Sequence, residues 1–188
     1  ARGGVTAIIG PNGAGKSTLL RAMGRLIPID AGRIEVAGLD VQRAPSRDLA
    51  RRLAVLRQDN HVAARLTIVD LVGLGRYPHG RGRMGPEDHA LVMRALEYVD
   101  LVDQRHRYLD ELSGGQRQRA FLAMALAQDT EVVLLDEPLT GLDVKHAVAT
   151  MERVRWLAES LGKTVMVVLH DLNYASVFAD RVVAMKAG

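Results

Sequence analysis

The sequence predicts an α/β fold with a mainly parallel sheet, interrupted by a helical insert. Two apolar runs without alternation, Val132-Val133-Leu134-Leu135 and Val165-Met166-Val167-Val168-Leu169, read as strands covered on both faces. Between them Val144, Val148, Met151, Val154, Ala158 and Leu161 recur at helical spacing. A strand–helix–strand order with buried strands is how a parallel sheet is wired. The composition suits one such domain, with 188 residues of which 48% are hydrophobic and 25% charged.

The elements follow in chain order. Val5-Thr6-Ala7-Ile8-Ile9 is a β-prone run that stops at Gly10, and a helix opens at Lys16. Leu53 to Gln58 is a further candidate strand. Thr67-Ile68-Val69-Asp70 is a capping-box variant that opens a helix. Gly73 to Gly85, rich in Gly and Arg, reads as an exposed loop. Pro86-Glu87-Asp88 starts another helix, whose apolar positions include Leu91, Ala95, Leu96 and Val99. The expected organisation is therefore one domain over residues 1–188, with a core of 1–64 and 113–188 and an insert at about 65–112. The chain starts at Ala1 without an initiator Met and ends at Ala187-Gly188, which reads as a domain truncated at both ends.

Composition excludes several classes of function. The absence of Cys removes disulfide scaffolds, iron–sulfur clusters and Cys-ligated zinc. No apolar stretch approaches the roughly 20 residues that span a bilayer, and no signal peptide is visible. The 25 Lys and Arg against 22 Asp and Glu leave a net charge of +3, a weak pointer to nucleic acid or an anionic membrane face.

The chemistry is concentrated in a few segments. Gly10-Pro11-Asn12-Gly13-Ala14-Gly15-Lys16-Ser17 fits G-x-x-x-x-G-K-[ST], the phosphate-binding P-loop. Its glycines let successive N–H groups face one anion, and the helix behind adds its positive end. Lys16 would reach the β- and γ-phosphates, Ser17 would ligate Mg²⁺, and Thr18 joins the same phosphate set. Asp136-Glu137 ends a buried strand, where open α/β sheets meet their ligands. Because neighbours on a strand point to opposite sides, Asp136 is expected to hold Mg²⁺ and Glu137 to polarise the attacking water. A surface acid pair before Pro138 is the plainer alternative. His170 and Gln58 end two further strands at the same sheet edge, the first aimed at a γ-phosphate and the second at Mg²⁺ or water. Ser113-Gly114-Gly115-Gln116 opens a helix with a capping box. Its two glycines weaken the first turn by roughly 0.8–1 kcal/mol each, which makes sense where a backbone approaches an anion closely.

Together these segments resemble the nucleotide-binding subunits of ABC transporters. The P-loop, Gln58, Leu112 to Gln116, Asp136-Glu137, Thr140 to Asp143 and His170 occur in that family's order. The resemblance implies a head-to-tail homodimer that sandwiches two ATP molecules, each between the P-loop of one copy and Ser113 to Gln116 of the other. It makes Glu137 the general base, has His170 hold γ-phosphate and water, and has Asp143 link the two sites. It also implies integral-membrane permease subunits that the insert touches, an indirect link to a cargo-binding protein, and a peripheral place on the cytoplasmic side of a bacterial membrane. Nucleic acid is not expected. Leu74 to Gly80, Asp110 to Ala120, Leu142 to His146 and Val168 to Ala175 look like the ATPases of iron–siderophore importers, with haem and cobalamin importers sharing much of this vocabulary. The family's adenine-stacking aromatic has no counterpart here, since Tyr77, Tyr98, Tyr108 and Tyr174 lie elsewhere. A soluble ABC-type ATPase acting on ribosomes or nucleic acid is the alternative. A P-loop GTPase or kinase leaves Ser113 to Gln116 unexplained, and the chain has no N-K-x-D. Arg76, His79, Arg81 and Arg83 read either as a solvated loop or as contacts to the permease or anionic lipid.

Overall fold

Each apolar run becomes a buried strand. The computed structural model describes residues 3–58, 62, 64–80 and 82–186. In chain order the elements are β1 (Gly4–Ile9), α1 (Lys16–Met23), β2 (Glu35–Val36), β3 (Leu39–Asp40), α2 (Ser46–Ala50) and β4 (Leu53–Leu56). Then come α3 (Ile68–Leu74), α4 (Tyr77–Gly80), α5 (Pro86–Tyr98), 3-10 turns at Val102–Gln104 and Leu109–Glu111, and α6 (Gly114–Ala127). The chain finishes with β5 (Val132–Asp136), α7 (Val144–Ser160), β6 (Thr164–Val168), α8 (Leu172–Phe178) and β7 (Arg181–Ala184). Two units result, Ala1–Gln58 with Thr130–Gly188, and Asp59–Asp129.

The first unit holds a five-stranded sheet in the order β4-β5-β6-β1-β7, with every neighbouring pair parallel. Register pairs Ile8 with Val168 and Asp136 with Val168, so the carboxyl ends of β1, β5 and β6 finish level at one edge. Ile8, Leu20, Val36, Val41, Leu49, Leu53, Leu134 and Val168 form a core cluster in this unit. From α7, Met151, Val154 and Leu157 are fully buried. The buried stripe of α7 runs through Ala147, Thr150, Met151, Val154, Leu157 and Ala158, rotated from the one expected. Val144 is 74% exposed at the helix's first turn.

Asp180, just before β7, ties the unit together. Its Oδ2 accepts from the Val5 N–H at 2.7 Å and its Oδ1 from Arg155 Nη1 at 2.6 Å. The Val5 N–H first, and the Arg155 guanidinium second, hold its carboxyl below the usual range. A carboxyl lowered on folding stabilises the fold above its unfolded value near pH 4, and that contribution is lost as pH falls through the folded value. Asp180→Asn is therefore expected to cost about 1 kcal/mol at pH 7, a figure kept small for solvent screening. Melting curves should show the gap to the parent closing below about pH 4. A gap independent of pH would exclude the charged pair as its source.

The second unit packs α3, α5 and α6 on one another through Ile68, Leu71, Val72, Val92, Leu96, Phe121 and Leu122. Thr67 caps α3 with a full capping box to Asp70. Gly75 ends α3 where a Cβ would run into the Met124 carbonyl of α6, so only glycine lets these helices approach. The boundary drawn at residue 113 moves, because α6 packs with the insert's helices.

The expected loop at 73–85 is also corrected. Helix α3 continues to Leu74 and α4 occupies Tyr77–Gly80. Arg76 is only 6% exposed, ion-paired to Asp88 at 2.8 Å and donating to the Ala127 carbonyl at 2.7 Å. The Gly85 N–H and then Arg76 hold the Asp88 carboxyl below its ordinary value. His79 is half-buried against the Gln128 carbonyl. A guanidinium so satisfied is not free for a lipid surface. Arg83 is exposed, and Arg81 lies outside the described residues. The sequence reading did not anticipate the β2–β3 hairpin, α2, α8 or β7.

Candidate functional site

The site begins where β1 ends. Gly10 has φ +149°, and a Cβ there would strike the Met185 carbonyl, so no other residue fits this bend. Gly13 and Gly15 also have positive φ, and Gly15 caps α1. Lys16 is 5% exposed, and its Nζ donates to the Gly10 and Pro11 carbonyls at 2.9 and 3.0 Å. The ammonium is therefore already held by the loop's own carbonyls. Ala14 is buried behind the loop.

Ser17 Oγ donates to Asp136 Oδ1 at 2.7 Å. Asp136 is 1% exposed, and its Oδ2 has no hydrogen-bond partner. Arg21 Nε, equally unpartnered, lies 3.9 Å from that oxygen. A buried carboxylate oxygen left open beside a serine hydroxyl is a hard-oxygen donor set that fits Mg²⁺. Among the described residues no group of three or more His, Cys, Asp or Glu is arranged to hold a metal. A cation at Ser17 and Asp136 thus needs further oxygens from water and phosphate.

Glu137 departs from expectation in a useful way. Asp136 is the last residue of β5, and Glu137 lies beyond it with φ +51°. The pair is thus set apart by a left-handed turn and not by strand alternation. Such a conformation costs a non-glycine residue roughly 1–3 kcal/mol, and it persists where the surroundings over-determine it. Here they do. Glu137 Oε2 accepts from Gln58 Nε2 at 2.7 Å and from Thr140 Oγ1 at 3.3 Å, while His170 Nε2 lies 2.7 Å from Oε1. The Glu137 side chain is 11% exposed and that of His170 47%.

An open cleft of about 410 Å³ is lined by Asn12, Gly13, Gly15, Lys16, Ser17, Thr18, Gln58, Glu137 and His170. The structure therefore gathers P-loop, strand-end carboxylate, Gln58 and His170 around one volume, with Asp136 behind it. Asp143 is not on that lining. It caps α7, accepting from the His146 N–H at 2.9 Å, and this bond with the His146 side chain lowers its carboxyl's pKa. Ser113, Gly114, Gly115 and Gln116 belong to the second unit. There Ser113 Oγ accepts from the Gln116 N–H and Gln116 Oε1 accepts from the Ser113 N–H, at 3.3 and 3.0 Å. Gly114 has nothing within 4 Å of where a Cβ would stand.

Sequence reasoning missed Arg21, and it quoted Thr140 only as the head of the segment Thr140 to Asp143 without its contact to Glu137. Arg21 follows Ser17 by one helical turn, a spacing that puts both on one face of α1. Thr140 follows Glu137 by three residues, and its contact depends on a turn that no local pattern announces. Among the described residues, no helix is long and apolar enough to cross a membrane.

The profile of the family described as ABC transporter matches residues 1–140. The petrobactin import ATP-binding protein FatE of Bacillus anthracis is 51% identical over 187 residues, covering 100% of this chain and 75% of that protein. The ferric enterobactin transport ATP-binding protein FepC of Escherichia coli K12 is 42% identical over 188 residues, covering 99% of this chain and 69% of that one. Among solved structures, a dimeric ATP-binding cassette in a post-hydrolysis state, bound to ADP and Pi, superposes with a TM-score of 0.88 at 30% identity. That likeness covers 100% of this chain and 83% of the other.

Proposed function

This chain belongs to the ABC transporter family as an ATP-binding, ATP-hydrolysing subunit, and on that premise we propose that it powers the import of ferric siderophores. The cargo assignment is supported by the likeness to petrobactin and enterobactin import subunits. The chemistry is supported above all by Glu137, held on the rim of the P-loop cleft by Gln58, Thr140 and His170.

Lys16 and the loop N–H groups bind the β- and γ-phosphates, with Ser17 and Asp136 as the residues that hold Mg²⁺. The cation, when bound, neutralises charge shared between those phosphates. Water attacks the γ-phosphorus, the bond from that phosphorus to the β–γ bridging oxygen breaks, and the water proton passes to Glu137. Oε2 of Glu137 faces Gln58 and Thr140 while Oε1 faces His170 alone, so a lone pair on Oε1 remains to receive that proton. His170 turns to donate toward the γ-phosphate as the phosphate arrives.

Two copies act head to tail, with Ser113 to Gln116 of one facing the phosphate in the other's P-loop and Asp143 near the join. The assembly sits against integral-membrane permease subunits on the cytoplasmic side of a bacterial membrane, and a cargo-binding protein delivers to that permease. The test is made in the source cell. A strain lacking the protein should lose uptake of iron-loaded siderophore while keeping haem and cobalamin uptake. The tagged protein, extracted in mild detergent, should bring down a polytopic permease. Recovery of ribosomes or nucleic acid without a permease would remove the transport assignment, and loss of cobalamin uptake alone would reassign the cargo.

A further inference from the structure

Gln116 belongs to the segment proposed to face an anion, yet its polar groups are largely committed inside the second unit. Its N–H donates to Ser113 Oγ, its Oε1 accepts from the Ser113 N–H, and its Nε2 donates to Gln104 Oε1 at 2.8 Å. Gln104 Oε1 also accepts from Arg107 Nη1 at 3.2 Å. Both amide orientations are forced by this chain of contacts. The Ser113 N–H can only donate, which fixes oxygen on that side of Gln116 and nitrogen on the other. The Arg107 guanidinium likewise can only donate, which turns the Gln104 oxygen toward both of its partners.

The base of this arrangement is firm. Gln104 ends the 3-10 turn Val102–Gln104, and Arg107 Nη2 donates to the Glu111 carbonyl at 2.7 Å. Backbone bonds from Ile68 N to Arg107 O, Val69 N to Arg105 O and Leu109 N to Leu66 O hold residues 105–109 to the start of α3. What the network leaves open is equally specific. With a Ser113 lone pair occupied by the Gln116 N–H, the hydroxyl proton stays available to donate outward, next to first-turn N–H groups that a helix cannot use itself.

We infer that Gln104 is a positioning residue, which with Arg107 locks the Gln116 side chain and so presets Ser113 and the N-terminus of α6 as a phosphate cradle. The inference rests on the proposed reading of Ser113 as phosphate-facing. It makes Gln116 a brace and leaves the anion to Ser113 and the backbone.

The test compares Gln104→Leu, Gln104→Glu and Ser113→Ala in the purified protein. Losing the acceptor should lower kcat for ATP about five-fold in Gln104→Leu. Binding of a fluorescent ATP analogue to the P-loop should be unchanged, and the Gln116 amide should exchange its proton faster. Gln104→Glu keeps an acceptor for both donors and should return kcat to within about two-fold of the parent. Parental kcat in Gln104→Leu alongside a slowed Ser113→Ala overturns the positioning role and spares the reading of Ser113 as phosphate-facing. Equal losses in the Leu and Glu variants, with equally lowered melting temperatures, make Gln104 a matter of stability and also overturn it. Parental turnover in Ser113→Ala takes down the reading of Ser113 as phosphate-facing, and the inference with it.

Discussion

Glu137→Gln is expected to cut ATP turnover by about 10²- to 10⁴-fold, the range a general base contributes, while nucleotide still binds. The substitution preserves shape and removes only the ability to take a proton. Its fit to the resting network is specific. The new amide oxygen would face Gln58 Nε2 and Thr140 Oγ1, which donate, and its nitrogen would face His170 Nε2. The contact of His170 Nε2 would then be to an amide and not a carboxylate, a change that ring-nitrogen NMR would detect. The left-handed turn at 137 should survive, since the amide keeps a contact to each of Gln58, Thr140 and His170. Saturated with Mg-ATP, the variant should accumulate as a dimer by light scattering. Hydrolysis at the parental rate would remove Glu137 from the role of base, and a monomer under those conditions would remove the two-copy arrangement.

The sequence carried the sheet and the phosphate loop because both are written in local patterns. Val132 to Leu135 and Val165 to Leu169 are apolar at every position, which only a strand covered on both faces tolerates. The glycine spacing of residues 10–17 likewise states its own backbone. Other features were set by distant partners. Helix α6 follows from the Ser113 capping box, but its periodicity does not say that α3 and α5 are its neighbours. The stripe of α7 rotated because Ala147 and Thr150, unremarkable as apolar markers, are the residues that pack, while Val144 turns outward. Arg76 looked like one of several surface arginines until Asp88 and the Ala127 carbonyl were seen to enclose it. Strands β2 and β3 are two residues each, too short for any alternation to register. The turn at Glu137 is the clearest case, since its positive φ is imposed by Gln58, Thr140 and His170 together.

Lys16→Ala is expected to weaken ATP binding by about two orders of magnitude, the loss that follows from two charge-assisted contacts to phosphate. The same change also strips the Gly10 and Pro11 carbonyls of their donor. These two effects separate experimentally. Loss of the internal bonds alone lowers the melting temperature without nucleotide, whereas loss of phosphate contacts removes the rise in melting temperature that added ATP produces. Lys16→Arg sharpens the point. Arginine keeps the charge, but its planar fork is bulkier and takes up hydrogen bonds at fixed angles, and the space here leaves the lysine only 5% exposed. Arginine is therefore expected to fail nearly as badly as alanine. Nucleotide-induced stabilisation restored by Lys16→Arg would mean that net charge is enough, and would undo the claim that a compact ammonium is what the loop is shaped around.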